Sequence, residues 1–219
     1  KIAVLAGDFL LSKGLSLGLK DNDINILAYT SKAVEKISEG EIFQIQKSRD
    51  LDLNEKDYFN IISRKTGSLF ACCFQLAAVS NGIHSKKKIE SLYNMGLKFG
   101  MIFQIKDDIL DYSSSDITGK IMGNDLKESK INLPLLLAIK NFSFLERQKV
   151  YYILKKKQKK KEDIYYVNNL VKKKNGISLS EMKMYSLKKE LINDLTIFSD
   201  SVYKTALIQL TQLIIDRKK

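Results

Sequence analysis

The sequence contains few of the residues on which several kinds of binding site depend. Among its 219 residues there are no tryptophans, one histidine and two cysteines. His84 stands alone in a polar turn, and the adjacent Cys72 and Cys73 do not match the spacing of a zinc site. Neighbouring positions on a helix point about 100° apart, which excludes an ordinary disulfide between the two. We expect both thiols to be buried and unreactive.

Arginine is also scarce, although the chain is strongly basic. Only four of the 37 basic residues are arginines, and the formal net charge is +12 at pH 7. Such an excess of positive charge could bind nucleic acid, an anionic membrane surface or a phosphorylated substrate. We expect no nucleic-acid partner, because arginine is the usual base-reading residue. The run KKKQKKK at 155–161 is predicted to be a solvated helix end, since no aromatic or glycine residues interleave it.

Long hydrophobic runs are absent as well. No stretch of eighteen or more uncharged apolar residues occurs, and the start KIAVLAGDFLL lacks the features of a secretory signal. We therefore expect a cytoplasmic location.

Signals for β-strands and chain breaks are nearly missing, with Pro134 the single proline. Apolar residues instead recur at helical spacing. The predicted helices cover 3–19, 24–46, 56–80, 87–112, 133–140, 144–157, 163–173, 179–197 and 201–215. Asn54, and Ser178 followed by Glu181, are predicted to cap helix starts. The expected fold is all-α, with residues 1–219 forming one large helical bundle.

The segment FQIKDDILDY at 103–112 places three carboxylates within an apolar helix. One face carries four polar residues at positions i, i+3, i+4 and i+7, namely Gln104, Asp107, Asp108 and Asp111. The opposite side is apolar, with Ile102, Ile105, Ile109 and Leu110. Crowded carboxylates in a cleft must take up protons unless a cation binds, and aspartate oxygens suit Mg²⁺. The alternative interpretation is an ordinary solvated helix face.

Two further segments suit phosphate. In SRKTGSLF, Lys65 offers a positive charge and Thr66 a hydroxyl, although this pair alone is a weak signal. The longest irregular tract, residues 113–132, follows the acidic segment directly. Loops of this length are usually functional or mobile.

The order of five segments resembles one enzyme family. They are GDFLL at 7–11, SEGE at 38–41, RKTGSLF at 64–70, FQIKDDILDY at 103–112 and GNDLKESKINLPLL at 123–136. With this order and spacing the chain resembles the trans-type polyprenyl diphosphate synthases. The resemblance implies an isoprenoid synthase fold with an active-site cleft between helices. It also implies Mg²⁺ held against an allylic diphosphate by the second of two aspartate-rich motifs.

The resemblance assigns roles to individual residues. The implied metal ligands are Asp107, Asp108 and Asp111, and the residues expected to carry catalysis are Asp107, Asp108 and Lys65. Substrate binding is implied for Lys65, Thr66, Gln104, Lys120 and Lys130, with the last two closing over the phosphates. Phe99 and Phe103 would line the cleft or pack in the core.

The implied reaction joins isopentenyl diphosphate to an allylic diphosphate. The allylic diphosphate ionises, the double bond of isopentenyl diphosphate attacks the cation, and a proton is lost, which gives a linear all-trans polyprenyl diphosphate. We expect a homodimer packed near GDFLL and a peripheral membrane contact for product release.

One departure leaves two interpretations open. The family's first aspartate-rich motif lies N-terminal to the GDFLL segment, and this chain contains no second DDxxD. The chain is therefore expected to be part of a longer enzyme, N-terminally incomplete relative to the family. The alternative is a noncatalytic subunit of a heteromeric prenyl diphosphate synthase.

Overall fold

The computed structural model describes residues 2–20, 24–50, 53–112 and 123–218. Within these ranges the regular elements are helices only, as the all-α prediction requires. The first part of the chain contains α1 (Ile2–Lys20), α2 (Ile24–Asp50), α3 (Glu55–Ile62), α4 (Ser68–Ser80) and α5 (Lys86–Leu110). The second part contains α6 (Asn124–Lys127), α7 (Leu133–Ile139), α8 (Phe144–Lys155), α9 (Lys161–Lys173), α10 (Gly176–Asp194) and α11 (Val202–Asp216).

The predicted helix over 56–80 is continuous, but its middle widens into a π-helical turn at Ser63–Gly67. The helix begins as expected, because the Asn54 side chain accepts a hydrogen bond from the Asp57 backbone N–H. A π turn inside an α-helix commonly marks a functional site. Here it carries Lys65 and Thr66.

Glycines bring α4 and α5 into close contact. A Cβ placed on Gly96 would lie 2.5 Å from the Cα of Ala71, and one on Gly100 would lie 2.7 Å from the Cα of Gly67. Both distances are shorter than any normal contact, so only glycine allows this approach. The close packing places the π turn beside the C-terminal half of α5.

Replacing Gly96 with alanine should therefore destabilise the protein. The added methyl meets backbone atoms that cannot rotate away, and we expect a loss of about 2–3 kcal/mol in the free energy of unfolding, measured by urea denaturation. Gly14→Ala is the matched control, because a Cβ there meets nothing within 4 Å. Equal denaturation midpoints for the two variants would contradict the close approach of α4 and α5.

The core surrounds α7, whose every residue is buried. Residues from α3, α5 and α8 to α11 pack around it in one hydrophobic cluster. The apolar side of α5 contributes as predicted, with Ile102 and Ile105 fully buried. This packing turns the opposite side of α5, which carries the polar residues, toward the cavity described below.

Helix α1 differs from the rest of the bundle because its apolar side chains are exposed. It is the one helix in the described ranges that is long and apolar enough to cross a membrane, by length and composition alone. Over Ile2–Leu19 its mean hydropathy is 1.5, and none of that window is buried. Core helices and signal sequences meet the same criterion, so composition does not assign a membrane.

Two local predictions are wrong, and a third is only partly right. Cys73 is exposed, and only Cys72 is buried, because the neighbouring residues face different sides of α4. The predicted capping by Ser178 does not occur, since α10 begins at Gly176, behind an Asn175 in the left-handed conformation. The run at 155–161 is only partly a solvated helix end, because α8 ends at Lys155 and the side chains that follow include half-buried ones.

Candidate functional site

A cavity of about 270 Å³ lies between α2, the π turn, α5 and the segment that leads into α7. Six predicted site residues line it: Lys65, Thr66, Gln104, Asp107, Asp108 and Lys130. Asp111 is not among the lining residues. Lys120 lies outside the described residues.

A chain of hydrogen bonds fixes the amide of Gln104 in the cavity. The Thr66 hydroxyl donates to Gln104 Oε1 at 2.8 Å. Gln104 Nε2 in turn donates to Asp108 Oδ1 at 2.9 Å. The π turn and α5 are thus joined through polar side chains, and the orientation of the amide is set from both sides.

Asp108 is turned toward the protein interior and is only 4% exposed. Its second oxygen accepts hydrogen bonds from the Tyr58 hydroxyl at 2.7 Å and the Leu133 backbone N–H at 3.1 Å. Burial raises the pKa of Asp108 to about 7. The hydrogen bonds that Asp108 accepts lower this pKa, and the nearby Asp125 carboxylate raises it further. Asp108 therefore links α5 to α3 and to the start of α7.

Asp111 holds the segment that follows. Its two oxygens accept from the backbone N–H groups of Asn124 and Asp125 at 3.0 and 3.3 Å. Burial raises the pKa of Asp111 to about 6, with further contributions from Asp125 and Asp107. In the described residues, no three histidine, cysteine or acidic side chains converge on a ready-made metal centre.

Sequence reasoning missed the role of Asp125. This cavity-lining residue accepts from Asn132 Nδ2 at 3.0 Å. Its negative charge raises the pKa of both Asp108 and Asp111. Asp125 lies in the quoted segment GNDLKESKINLPLL, but helical spacing cannot relate it to α5, because the chain between them is irregular.

The chemistry of this acidic group fits a hard divalent cation. All of its donors are carboxylate oxygens, and the Asp125 carboxylate disfavours the ionisation of both Asp108 and Asp111. A bound cation relieves that repulsion without requiring protons. Zinc and other softer metals would need histidine or cysteine, and neither residue type lines the cavity.

Asp107 has a different environment from the other carboxylates on the polar face of α5. Its side chain is 36% exposed, and Arg217 Nη2 lies 3.5 Å from its Oδ1. The Arg217 guanidinium stacks over the Phe103 ring at 4.2 Å and donates to the Phe103 carbonyl at 3.2 Å. This contact joins residues more than one hundred positions apart, so the local pattern gave no signal for it.

The two described lysines of the site pair with glutamates. Lys65 Nζ lies 2.5 Å from Glu41 Oε2 and donates to Gln44 Oε1 at 2.8 Å. Lys130 Nζ lies 2.6 Å from Glu128 Oε2. Both lysine side chains are about one-third exposed, at 31% and 32%. A phosphate group carries more negative charge than a carboxylate. A phosphate-bearing anion in the cavity can therefore compete with the two glutamates for the ammonium groups of both lysines.

Comparisons with known proteins identify the family. A family model described as polyprenyl synthetase matches residues 1–171. The all-trans-nonaprenyl-diphosphate synthase (geranyl-diphosphate specific) of Rhodobacter capsulatus is 32% identical over 216 residues, which are 98% of this chain and 65% of the relative. The chain thus spans about two thirds of that relative's length.

Solved structures agree with this assignment. A Caulobacter crescentus polyprenyl synthase complexed with calcium and isoprenyl diphosphate superposes with a TM-score of 0.92 and 30% identity, covering 99% of this chain and 66% of its own. Geranylgeranyl pyrophosphate synthase from Bacteroides thetaiotaomicron gives a TM-score of 0.90 and 30% identity, with coverage of 98% and 71%. Because the family model covers residues 1–171, more than half of the chain, the chain belongs to the polyprenyl synthetase family.

Proposed function

We propose that the protein is a prenyltransferase that condenses isopentenyl diphosphate with an allylic diphosphate to give a linear all-trans polyprenyl diphosphate. The observation that supports this most is one cavity in which lysines, a fixed amide and carboxylates face one another. Lys65 of the π turn, Gln104 and Asp107 of α5, and Lys130 of the segment before α7 line that cavity together. The family and the names of the relatives supply the chemical class.

We propose Mg²⁺ as the metal ion of this site. Asp107, Asp108 and Asp111 would hold it, with Asp125 adjacent to them. The ion supplies neutralisation of the negative charge that develops on a leaving diphosphate. The fit rests on the crowding of oxygen donors and on the raised pKa values of Asp108 and Asp111.

The residues of the chain provide binding, orientation and the exclusion of water. Lys65 and Lys130 present positive charge to the diphosphate, and the Thr66 hydroxyl lies beside them in the cavity. Preorganised charges of this kind favour departure of an anionic leaving group. Gln104 is held in one orientation, next to the prenyl chain of the reacting substrate.

An aromatic cluster of α4 and α5 lies outside the set of residues that line the cavity. The Phe70 ring lies 5.4 Å from that of Phe99 and 5.7 Å from that of Phe103. Phe99 is buried and Phe103 is half-buried. Phe99 and Phe103 therefore pack in the core, which is the second of the two roles expected for them.

We further infer that residues 1–219 belong to one domain, because helices from both parts of the chain share one hydrophobic cluster. The exposed apolar face of α1, in the GDFLL region, supports a homodimer. The peripheral membrane contact, the cytoplasmic location and the lack of a nucleic-acid partner stay predictions.

The function is tested by incubating the full-length protein with Mg²⁺, radiolabelled isopentenyl diphosphate and allylic primers of five to twenty carbons. We expect an extended lipid product, separated by chromatography. Absence of product with every primer would overturn the proposal. A protein that is inactive alone but changes the product length of a partner synthase would instead be a noncatalytic subunit.

A further inference from the structure

We propose that Lys159 is a positioning residue, which acts through Ser129 to hold Lys130 at the cavity. The inference rests on the proposed function, in which Lys130 binds a diphosphate. It assigns a role to part of the lysine run at 155–161, which the site itself does not use.

The first step is the backbone of Ser129. Its φ of 60° lies in the left-handed region, which disfavours residues with a Cβ. Serine can keep this conformation only if other contacts stabilise it. Two backbone hydrogen bonds already form here. The N–H of Ser129 donates to the Leu126 carbonyl at 3.1 Å, and the N–H of Lys130 donates to the Asp125 carbonyl at 2.9 Å.

The second step is the Ser129 hydroxyl, which adds side-chain contacts to these two backbone hydrogen bonds. It donates to the Leu154 carbonyl at 2.9 Å and accepts from Lys159 Nζ at 2.7 Å. The end of α8 and the lysine run therefore both hold this residue.

The third step is the Lys159 ammonium, which also donates to the carbonyls of Lys127 and Lys156 at 3.3 and 3.1 Å. Lys127 ends α6, and carbonyls at a helix end have no partner within the helix. All three acceptors of Lys159 are neutral oxygens. The contact is thus a set of hydrogen bonds that salt screens little, unlike the binding of a polyanion by the same lysines.

The consequence concerns Lys130, which follows Ser129 directly. Lys130 lines the site cavity and also a second, open cavity of about 410 Å³ that includes Ser129 and Leu154. A change in the backbone of Ser129 would redirect the Lys130 side chain. The Lys159 contact therefore decides whether this charge is presented to the site.

The test measures the affinity of the full-length protein for inorganic pyrophosphate with Mg²⁺ by calorimetry. We expect Lys159→Met to weaken binding about fivefold to tenfold, as the loss of one or two hydrogen bonds implies. Lys159→Arg should restore part of the affinity. Lys157→Met is the matched control, because this neighbour in the run is exposed, and it should bind like the wild type.

A double-mutant cycle separates positioning from general destabilisation. If Lys159 acts through Lys130, Lys159→Met should cause no further loss of affinity in a Lys130→Met background. Ser129→Ala should lower the thermal midpoint more than Ser129→Gly, because alanine keeps the backbone strain and loses the hydroxyl. If Lys159→Met does not fold, the same cycle is made with Ser129→Ala and Lys130→Met.

Several results would overturn the inference. They are a Lys159→Met protein that binds like Lys157→Met, a loss of affinity that persists undiminished in the Lys130→Met background, or a wild type that binds no pyrophosphate. A wild type that binds pyrophosphate and shows the expected cycle, but makes no prenyl product, would reject the proposed function and support the role of Lys159.

Discussion

Replacing Asp107 with alanine is expected to reduce turnover about a hundredfold or more while the protein stays folded. Asp107 lines the cavity and is 36% exposed. Of the three carboxylates on the polar face of α5, it is the one most accessible to a ligand. Its loss removes a proposed metal contact from the step in which diphosphate leaves. Because the side chain is partly solvated, we expect the free energy of unfolding to change by less than about 1 kcal/mol. Steady-state kinetics and urea denaturation measure the two quantities.

The matched control for Asp107→Ala is Asp200→Ala. Asp200 is a fully exposed carboxylate that pairs with Lys204 within the same turn, so its removal should change neither activity nor stability appreciably. An Asp107→Ala protein with normal activity would contradict the assignment of the site. Equal losses in both variants would show that general charge, and not position, matters.

Replacing Asp108 with asparagine is expected to stabilise the metal-free protein at pH 8. The pKa of this buried carboxyl is about 7 in the folded protein, against an ordinary value of 3.8. Between these pH values the folded state binds more protons than the unfolded state, so stability falls as the pH rises from about 4 to about 7. Asparagine keeps a hydrogen-bond acceptor for Tyr58 and Leu133 without the charge. Its amide NH2 then faces Gln104, so the Gln104 amide must turn over, accept from it through Oε1 and donate through Nε2 to the Thr66 hydroxyl. The gain at pH 8 is of the order of a few kcal/mol, as an upper bound.

The pH dependence is the sharper part of this prediction. Thermal or urea unfolding in a chelator, measured from pH 4 to pH 8, should show the advantage of Asp108→Asn shrinking as the pH falls. The same variant should bind pyrophosphate with Mg²⁺ more weakly, since the lost charge belongs to the proposed metal site. Asp200→Asn serves as the control and should gain no stability at high pH. An Asp108→Asn protein that is less stable than the wild type at pH 8 would contradict this prediction.

Helical periodicity predicted most of the fold, because it reports which residues face the core. The apolar side of α5 and the run LPLLLAI of α7 are buried as their patterns indicate. Periodicity could not reveal the π turn at Ser63–Gly67, where Gly67 lies against Gly100 of α5. Nor could it predict α6, a single turn held by hydrogen bonds to Asp111.

The same reasoning reached part of the site. Residues on one helical face point in similar directions, so Gln104, Asp107, Asp108 and Asp111 were expected at one cavity. The first three line it, and Asp111 does not. Which member of the face is buried depends on neighbours from elsewhere in the chain, and Tyr58 with Leu133 draws Asp108 inward. Asp125 and Arg217 arrive from distant segments, where no spacing rule applies.

The central claim is that crowded carboxylates and lysines at one cavity bind a divalent ion together with a diphosphate. Calorimetric titration of the full-length protein with Mg²⁺, with and without geranyl diphosphate, tests it most directly. The account predicts saturable Mg²⁺ binding that is strongly enhanced by the diphosphate and is lost in Asp107→Ala. No measurable affinity for Mg²⁺ in the presence of the prenyl diphosphate would contradict it.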